Sequence, residues 1–311
     1  MSFSSDVKEE LSRLAAQGRH CQIAELSAII SMCGRVLVDE KEQYRIRIHT
    51  ENVYVARKCF TLLRKSFNIK AGVSVRQGRK SRLYTVAVNE KEATYRILQA
   101  TRLIDESREI REDLSLLSNQ VVQMECCRRA FLRGAFLASG SISDPEKSYH
   151  LEFVCATEKK AEQLVEILKR FGLDGKQILR KHNYVVYLKD GEQIVDALNI
   201  MGAHVALMEM ENVRIVKGIR NTVNRKLNCE MANITKTVTA ASKQVADIQF
   251  LAGRIGLNAL PDNLREVARL RLEYPDATLV ELGEMLYPPV GKSGVNHRLR
   301  KLGNLAKELR E

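Results

Sequence analysis

The chain has 311 residues, 45% of them hydrophobic and 28% charged, which supports folded cores and excludes a low-complexity or disordered protein; the length suits two or three domains. The net charge of +12 favours polyanionic partners, with nucleic acid first among them. No stretch nears the roughly 18 apolar residues of a membrane span, and the start, MSFSSDVKEELSRL, lacks the basic flank and apolar core of a secretion signal, so a cytoplasmic protein without membrane contact is expected.

In chain order, an N-terminal helix is expected over 1–20. Residues 26–34 then read LSAIISMCG, and residues 132–140 read LRGAFLASG. The two stretches pair Leu26 with Leu132, Ala28 with Gly134, Cys33 with Ser139 and Gly34 with Gly140, an offset of 106 residues. The offset extends downstream. YRIRIH (44–49) alternates Ile46 and Ile48 with Arg45, Arg47 and His49, the period-two pattern of a half-buried strand. YHLEFVCA (149–156) alternates Leu151 and Phe153 with His150 and Glu152 in the same way. An amphipathic helix, two short strands (AGVSVRQ and SRLYTVAV; GKQILRK and YVVYLKD) and a closing helix follow in each copy. A period near 100 residues marks a duplicated αββαββα domain, with repeats over 21–115 and 120–215, not a solenoid. Small residues crowd LRGAFLASG because two equivalent helices meeting on a pseudo-two-fold axis bring their backbones close together.

Residues 216–235 read as a linker and 236–311 as a helical domain. Thr239 or Ser242 is expected to cap a helix burying Val245, Ile248, Leu251 and Ile255. LPDNLREVARLRLEYP starts a second helix at Pro261 and Asp262, buries Leu264, Val267, Ala268 and Leu270, and stops at Pro275. DATLVELGEML gives a short helix capped by Asp276 or Thr278, with Leu279, Leu282 and Leu286 inward. After PPVG, a third helix turns Val295, Leu299, Leu302, Ala306 and Leu309 to one side. A short helix, a tight turn and a basic helix form the helix-turn-helix pattern. On the opposite face Ser293, Asn296, His297 and Arg300 are the candidate base readers, and Lys292, Arg298 and Lys301 the candidate phosphate contacts. VGKSG is not a phosphate-binding loop, because Leu286 stands where the first glycine is needed and no strand precedes it.

The seven cysteines contain no CxxC pair, and the adjacent Cys126 and Cys127 are read as poorly placed to share a metal. The histidines His20, His49, His150, His182, His204 and His297 are scattered. Reduced thiols, no metal site and no cofactor are expected.

The duplicated helix resembles the LAGLIDADG motif of homing endonucleases, in which paired helices join two αββαββα halves. The resemblance implies a saddle of strands laid over DNA, and a carboxylate at the eighth motif position of each copy to hold divalent metal beside the scissile phosphates. Those positions are Cys33 and Ser139 here, neither of them a hard anionic oxygen ligand at neutral pH. Asp39 and Asp144 lie just past the closing glycines and are the candidates for a displaced site. Candidate saddle contacts to DNA are Arg45, Arg47, Arg76, Arg79, Lys80, Arg82, Lys176, Arg180 and Lys181.

Over its whole length the chain resembles the sporulation transcription regulator WhiA family, through MSFSSDVKEEL, RNTVNRKLNCEMAN (220–233) and LREVARLRLEYPDATLVELGEML. The resemblance implies an α+β protein, a duplicated LAGLIDADG-type saddle followed by an all-α helix-turn-helix domain. It also implies a non-catalytic, DNA-binding transcription regulator linked to sporulation, cell division and chromosome segregation, associated with the nucleoid. Double-stranded DNA is the expected partner, and a second transcription factor or RNA polymerase are further candidates. Two alternatives stay open: a metal-dependent DNA endonuclease with displaced acids, and an adaptor that docks a second transcription factor.

Overall fold

Phe3, Val7 and Leu11 recur at helical spacing and are buried along α1 (Phe3–Arg13), whose N-cap Ser2 accepts a hydrogen bond from the Ser5 amide at 3.3 Å. The computed structural model describes residues 2–15, 18–38, 44–78, 82–104 and 120–311. They divide into two units, Met1–Lys217 and Gly218–Glu311.

In the first unit the chain runs twice through one plan. The first pass is α2 (Arg19–Cys33), β1 (Gly34–Val38), β2 (Tyr44–Thr50), α3 (Val53–Phe67), β3 (Gly72–Gln77), β4 (Arg82–Val88) and α4 (Lys91–Ala100). The second is α5 (Glu125–Ser139), β5 (Gly140–Ile142), β6 (Leu151–Cys155), α6 (Glu158–Lys169), β7 (Lys176–Arg180), β8 (Asn183–Leu188) and α7 (Gly191–Met201). Each pass makes an antiparallel sheet, ordered β1-β2-β4-β3 and β5-β6-β8-β7. β1 and β5 had not been singled out in the sequence; GSI is too short to show any alternation. Side-chain caps fix several helix starts: Asn52 accepts from the amides of Tyr54 (2.8 Å) and Val55 (3.4 Å), and Asp190 from those of Glu192 and Gln193 (3.0 Å each).

Ala24 through Ser31 of α2 are all buried, so the helix is covered on every side. Its main neighbour is α5. A methyl group on Gly134 would stand 2.3 Å from the carbonyl oxygen of Glu25, so only glycine allows this approach. Across the same contact Glu25, fully buried, meets Lys58 of α3 at 3.1 Å and Arg133 of α5 at 3.2 Å. Arg133 also donates to the carbonyl of Met201 (3.1 Å), and Lys58 to that of Leu14. Burial lowers the Lys58 pKa and the Glu25 charge opposes that shift. One continuous core then joins the helices to the inner sheet faces, through Ile46, Ile48, Val86 and Val88 in one copy and Leu151, Phe153, Val186 and Leu188 in the other.

The segment expected to be a linker is helical. α8 runs from His204 to Arg254, so neither a linker over 216–235 nor a separate helix capped by Thr239 or Ser242 exists. Neither glycine nor proline occurs between Gly218 and Gly253 to break it. The threonines within it satisfy their hydroxyls on the preceding turn: Thr222, Thr235 and Thr237 donate to carbonyls four residues back at 2.8–3.0 Å.

In the second unit, α9 (Asp262–Glu273), α10 (Leu279–Glu284) and α11 (Lys292–Glu308) enclose a core with the end of α8. Ile248, Leu251, Leu264, Val267, Ala268, Leu282, Leu286, Val295, Leu299, Leu302 and Ala306 fill it. Ile255 and Leu309, expected inside, are each 40% exposed, because both lie at or past a helix end where the stripe has no partner.

Candidate nucleic-acid interface

Two turns aim α11. At the first, Arg271 is 2% exposed and its Nη1 donates to the carbonyls of Pro275 (3.2 Å) and Ala277 (2.6 Å), closing the bend between α9 and α10. Thr278 then starts α10 with a capping box: its hydroxyl accepts from the Glu281 amide at 3.3 Å and the Glu281 carboxylate accepts from the Thr278 amide at 2.7 Å. Those hydrogen bonds hold the Glu281 carboxyl below its ordinary range. At the second turn the Val290 amide donates to the Gly283 carbonyl (2.9 Å), and a methyl group on Gly283 would lie 2.0 Å from the Val290 carbonyl oxygen.

With Val295, Leu299, Leu302 and Ala306 buried, Ser293, Asn296, His297 and Arg300 are exposed on the opposite side of α11. At about 100° per residue, Ser293, His297 and Arg300 form one stripe, with Asn296 on its edge. Asn296 also lines a cleft of about 580 Å³ formed with α8 residues 236–249, Arg271 and residues 275–279. Lys301 is exposed beside the stripe; Lys292, exposed, and Arg298, half-buried, flank it on opposite sides.

The strand register divides the basic residues of the first unit. On the face of the first sheet turned away from the core, Arg35 stands opposite Arg47, and Arg45, His49 and Arg76 share that face. His49 Nδ1 lies 3.0 Å from the Thr85 hydroxyl. Arg82 points to the other face and its Nε donates to Gln77 at 2.9 Å, so it does not join this patch. Arg79, Lys80 and Asp39 lie outside the described residues. Arg35 was missed because its strand was missed.

The second sheet carries different side chains at the same positions. Gly34 faces Ile48, and Gly140 faces Phe153, so Ser141 replaces Arg35, Glu152 replaces Arg47 and Val154 replaces His49. Glu152 accepts from the Ser141 hydroxyl at 3.1 Å, meets His150 Nε2 at 3.1 Å and stands 3.8 Å from Arg180. Lys176 shares this outer face, and Lys181 sits in the left-handed turn (φ 57°) of the β7–β8 hairpin. On this face Glu152 thus lies within reach of both His150 and Arg180.

The ends of the helix pair do not suit a hard divalent ion. The Cys33 thiol donates to the Ile29 carbonyl and the Ser139 hydroxyl to the Ala135 carbonyl, each at 3.3 Å, so both turn back onto their own helices. Burial pushes the Cys33 thiol up to about 12, opposed by the nearby Lys8 ammonium. Lys160 donates to the Ser31 carbonyl at 2.9 Å. Among the described residues, a neutral thiol, a hydroxyl and two lysines stand at these ends, a donor set that does not suit Mg²⁺. Asp144 is engaged in its own turn, accepting from the Glu146 amide at 2.9 Å.

At the opposite end of the pair the structure corrects the reading of scattered thiols and histidines: ligand atoms of His20, Cys21, Cys126 and Cys127 all lie within 4.8 Å of one another. The 106-residue offset would have found this cluster if carried upstream, since it pairs His20 with Cys126 and Cys21 with Cys127.

A duplicated αββαββα scaffold built on a paired motif helix, together with a C-terminal helix-turn-helix unit, defines a LAGLIDADG-like protein carrying a helix-turn-helix domain. Profiles of the WhiA N-terminal LAGLIDADG-like domain, the WhiA LAGLIDADG-like domain and the WhiA C-terminal HTH domain match residues 19–104, 128–220 and 223–306. The chain is 50% identical over 314 residues to the probable cell division protein WhiA of Lachnoclostridium phytofermentans, with all of both chains covered. It is 47% identical over 309 residues to that of Alkaliphilus metalliredigens, covering 98% of each. The crystal structure of full-length WhiA from Thermatoga maritima is similar at 25% identity and a TM-score of 0.60, over 99% of each chain. The chain belongs to the WhiA family.

Proposed function

We propose that this protein is a sequence-specific, non-cleaving DNA-binding transcription regulator acting in cell division, with sporulation and chromosome segregation as linked processes, and that it resides on the nucleoid. The observation that carries this reading is the exposed Ser293, His297 and Arg300 stripe on α11, held by the Arg271 and Thr278 turns. Arg300 suits the O6 and N7 edge of guanine, Asn296 an adenine, and Lys292, Arg298 and Lys301 the phosphates on either side. Arg35, Arg45 and Arg47 of the first sheet add phosphate contacts. The chemistry at Cys33 and Ser139 speaks against the endonuclease alternative.

Arg300→Ala tests the reading. Binding to a selected site should fall by about 1–3 kcal/mol while binding to random DNA changes little. Equal loss on both would make Arg300 a phosphate contact and remove the basis for α11 as the reader. A second role, docking of another transcription factor or RNA polymerase, is favoured by the second sheet, where Val154 and Ile178 are exposed beside Glu152.

A further inference from the structure

The geometry points to a zinc site of one histidine and three cysteines, His20, Cys21, Cys126 and Cys127, that staples the two repeats together at the N-terminal ends of α2 and α5. Each repeat gives two ligands from the first turn of its motif helix. Cys126 and Cys127 are adjacent, which in isolation makes a poor chelate. A second adjacent pair arriving from the facing helix supplies the other edge of a tetrahedron.

The distances fit. His20 Nδ1 lies 3.2 Å from Cys21 Sγ, 3.2 Å from Cys127 Sγ and 4.0 Å from Cys126 Sγ. Tetrahedral zinc with bonds of about 2.3 Å to sulfur and about 2.05 Å to nitrogen sets an N···S edge near ~3.5 Å. The observed values bracket that edge, so small side-chain movements complete the shell. Three thiolates and an imidazole are soft and borderline donors, which select zinc over magnesium or calcium.

The surroundings fix the ring. A methyl group on Gly18, the residue before α2, would stand 2.5 Å from His20 Nε2, so a side chain there would push the imidazole from its present place. Cys21 and Cys127 are buried in a small apolar cluster with Ala24, Val121 and Ala130, apart from the main core. His20 and Cys126 are exposed, which leaves the site open to metal entry.

The test uses the full-length protein, reduced and loaded with zinc chloride, with metal content measured by native mass spectrometry and elemental analysis. One zinc per chain is expected, and cobalt substitution should give thiolate-to-cobalt charge transfer with the intense visible bands of a tetrahedral site. Cys126→Ser with Cys127→Ser should lose the metal, and Cys229→Ser should keep it. His20→Cys should retain it as a four-cysteine site, while Gly18→Ala should weaken zinc binding by about 10- to 100-fold. If the double variant does not fold, the wild-type protein decides: chelation should lower its melting midpoint and zinc should restore it. No stoichiometric zinc, an unmoved midpoint, retention of zinc in the double variant, a cobalt spectrum without thiolate charge transfer, or a disulfide among these cysteines in place of metal would each overturn the site.

Discussion

The two repeats share one topology and one core, yet their outer sheet faces carry different charge patterns. Where the first presents Arg35, Arg47 and His49, the second presents Ser141, Glu152 and Val154. Burial constrains the residues that point inward, so Ile48 and Phe153 stay apolar while their outward neighbours differ. A duplicated scaffold can thus keep a cationic surface on one half and assign the other half a different surface task. If both halves lay on a polyanion, Glu152 would repel it.

The largest effect comes from breaking the contact that makes the halves comparable. Glu25→Ala leaves Lys58 and Arg133 facing each other without their shared carboxylate, and the first unit should lose about 3–5 kcal/mol, read from urea unfolding of the full chain. Next, Arg35→Glu with Arg47→Glu should weaken DNA binding and flatten its salt dependence by about two in log–log slope. A cationic pair from the second outer face, Lys176→Glu with Arg180→Glu, should leave both nearly unchanged, and equal losses from the two pairs would erase the asymmetry. Glu152→Arg, which restores the first sheet's sign to the second, should strengthen binding to random DNA by a smaller factor, measured at two salt concentrations.

The smallest effect concerns the vacated helix ends. Burial pushes Cys33 up to about 12 and Cys155 up to about 11, the latter opposed by Lys160. Both should therefore resist alkylation at about pH 8, while exposed Cys229 reacts quickly, as intact-mass kinetics will show. The folded state holds these protons more tightly than the unfolded chain does. Their contribution to stability is thus complete below the ordinary thiol value of 9.0 and is lost as pH climbs from there through about 11 and 12.

Much of this architecture was legible in the residues. The αββαββα repeat followed from the 106-residue offset and alternating strands such as YRIRIH, because burial on one face imposes a period of two. The helix-turn-helix followed from Thr278, Pro275 and the apolar stripe of α11. Other features escaped. β5 is three residues long and pairs through backbone, which carries no side-chain signature. Arg271 reads as a surface arginine until the turn it closes is seen. The four-ligand cluster joins residues more than a hundred positions apart, so local spacing rules pass over it. The face of the Asn296 side chain was also only half read, since periodicity gives direction but not the cleft it meets.

The crossing at Gly134 makes the two halves non-interchangeable. By the internal correspondence Gly134 matches Ala28, Phe131 matches Glu25, and Arg133 matches Ser27. Two copies of the amino-terminal half would press an alanine methyl into the Glu25 backbone where the native pair tolerates only hydrogen, and would leave both glutamates without a guanidinium. Two copies of the other half would strand both arginines opposite phenylalanine. Neither half is complementary to a copy of itself at this contact, so splitting the gene between them would yield obligate heterodimers, with neither fragment able to replace the other.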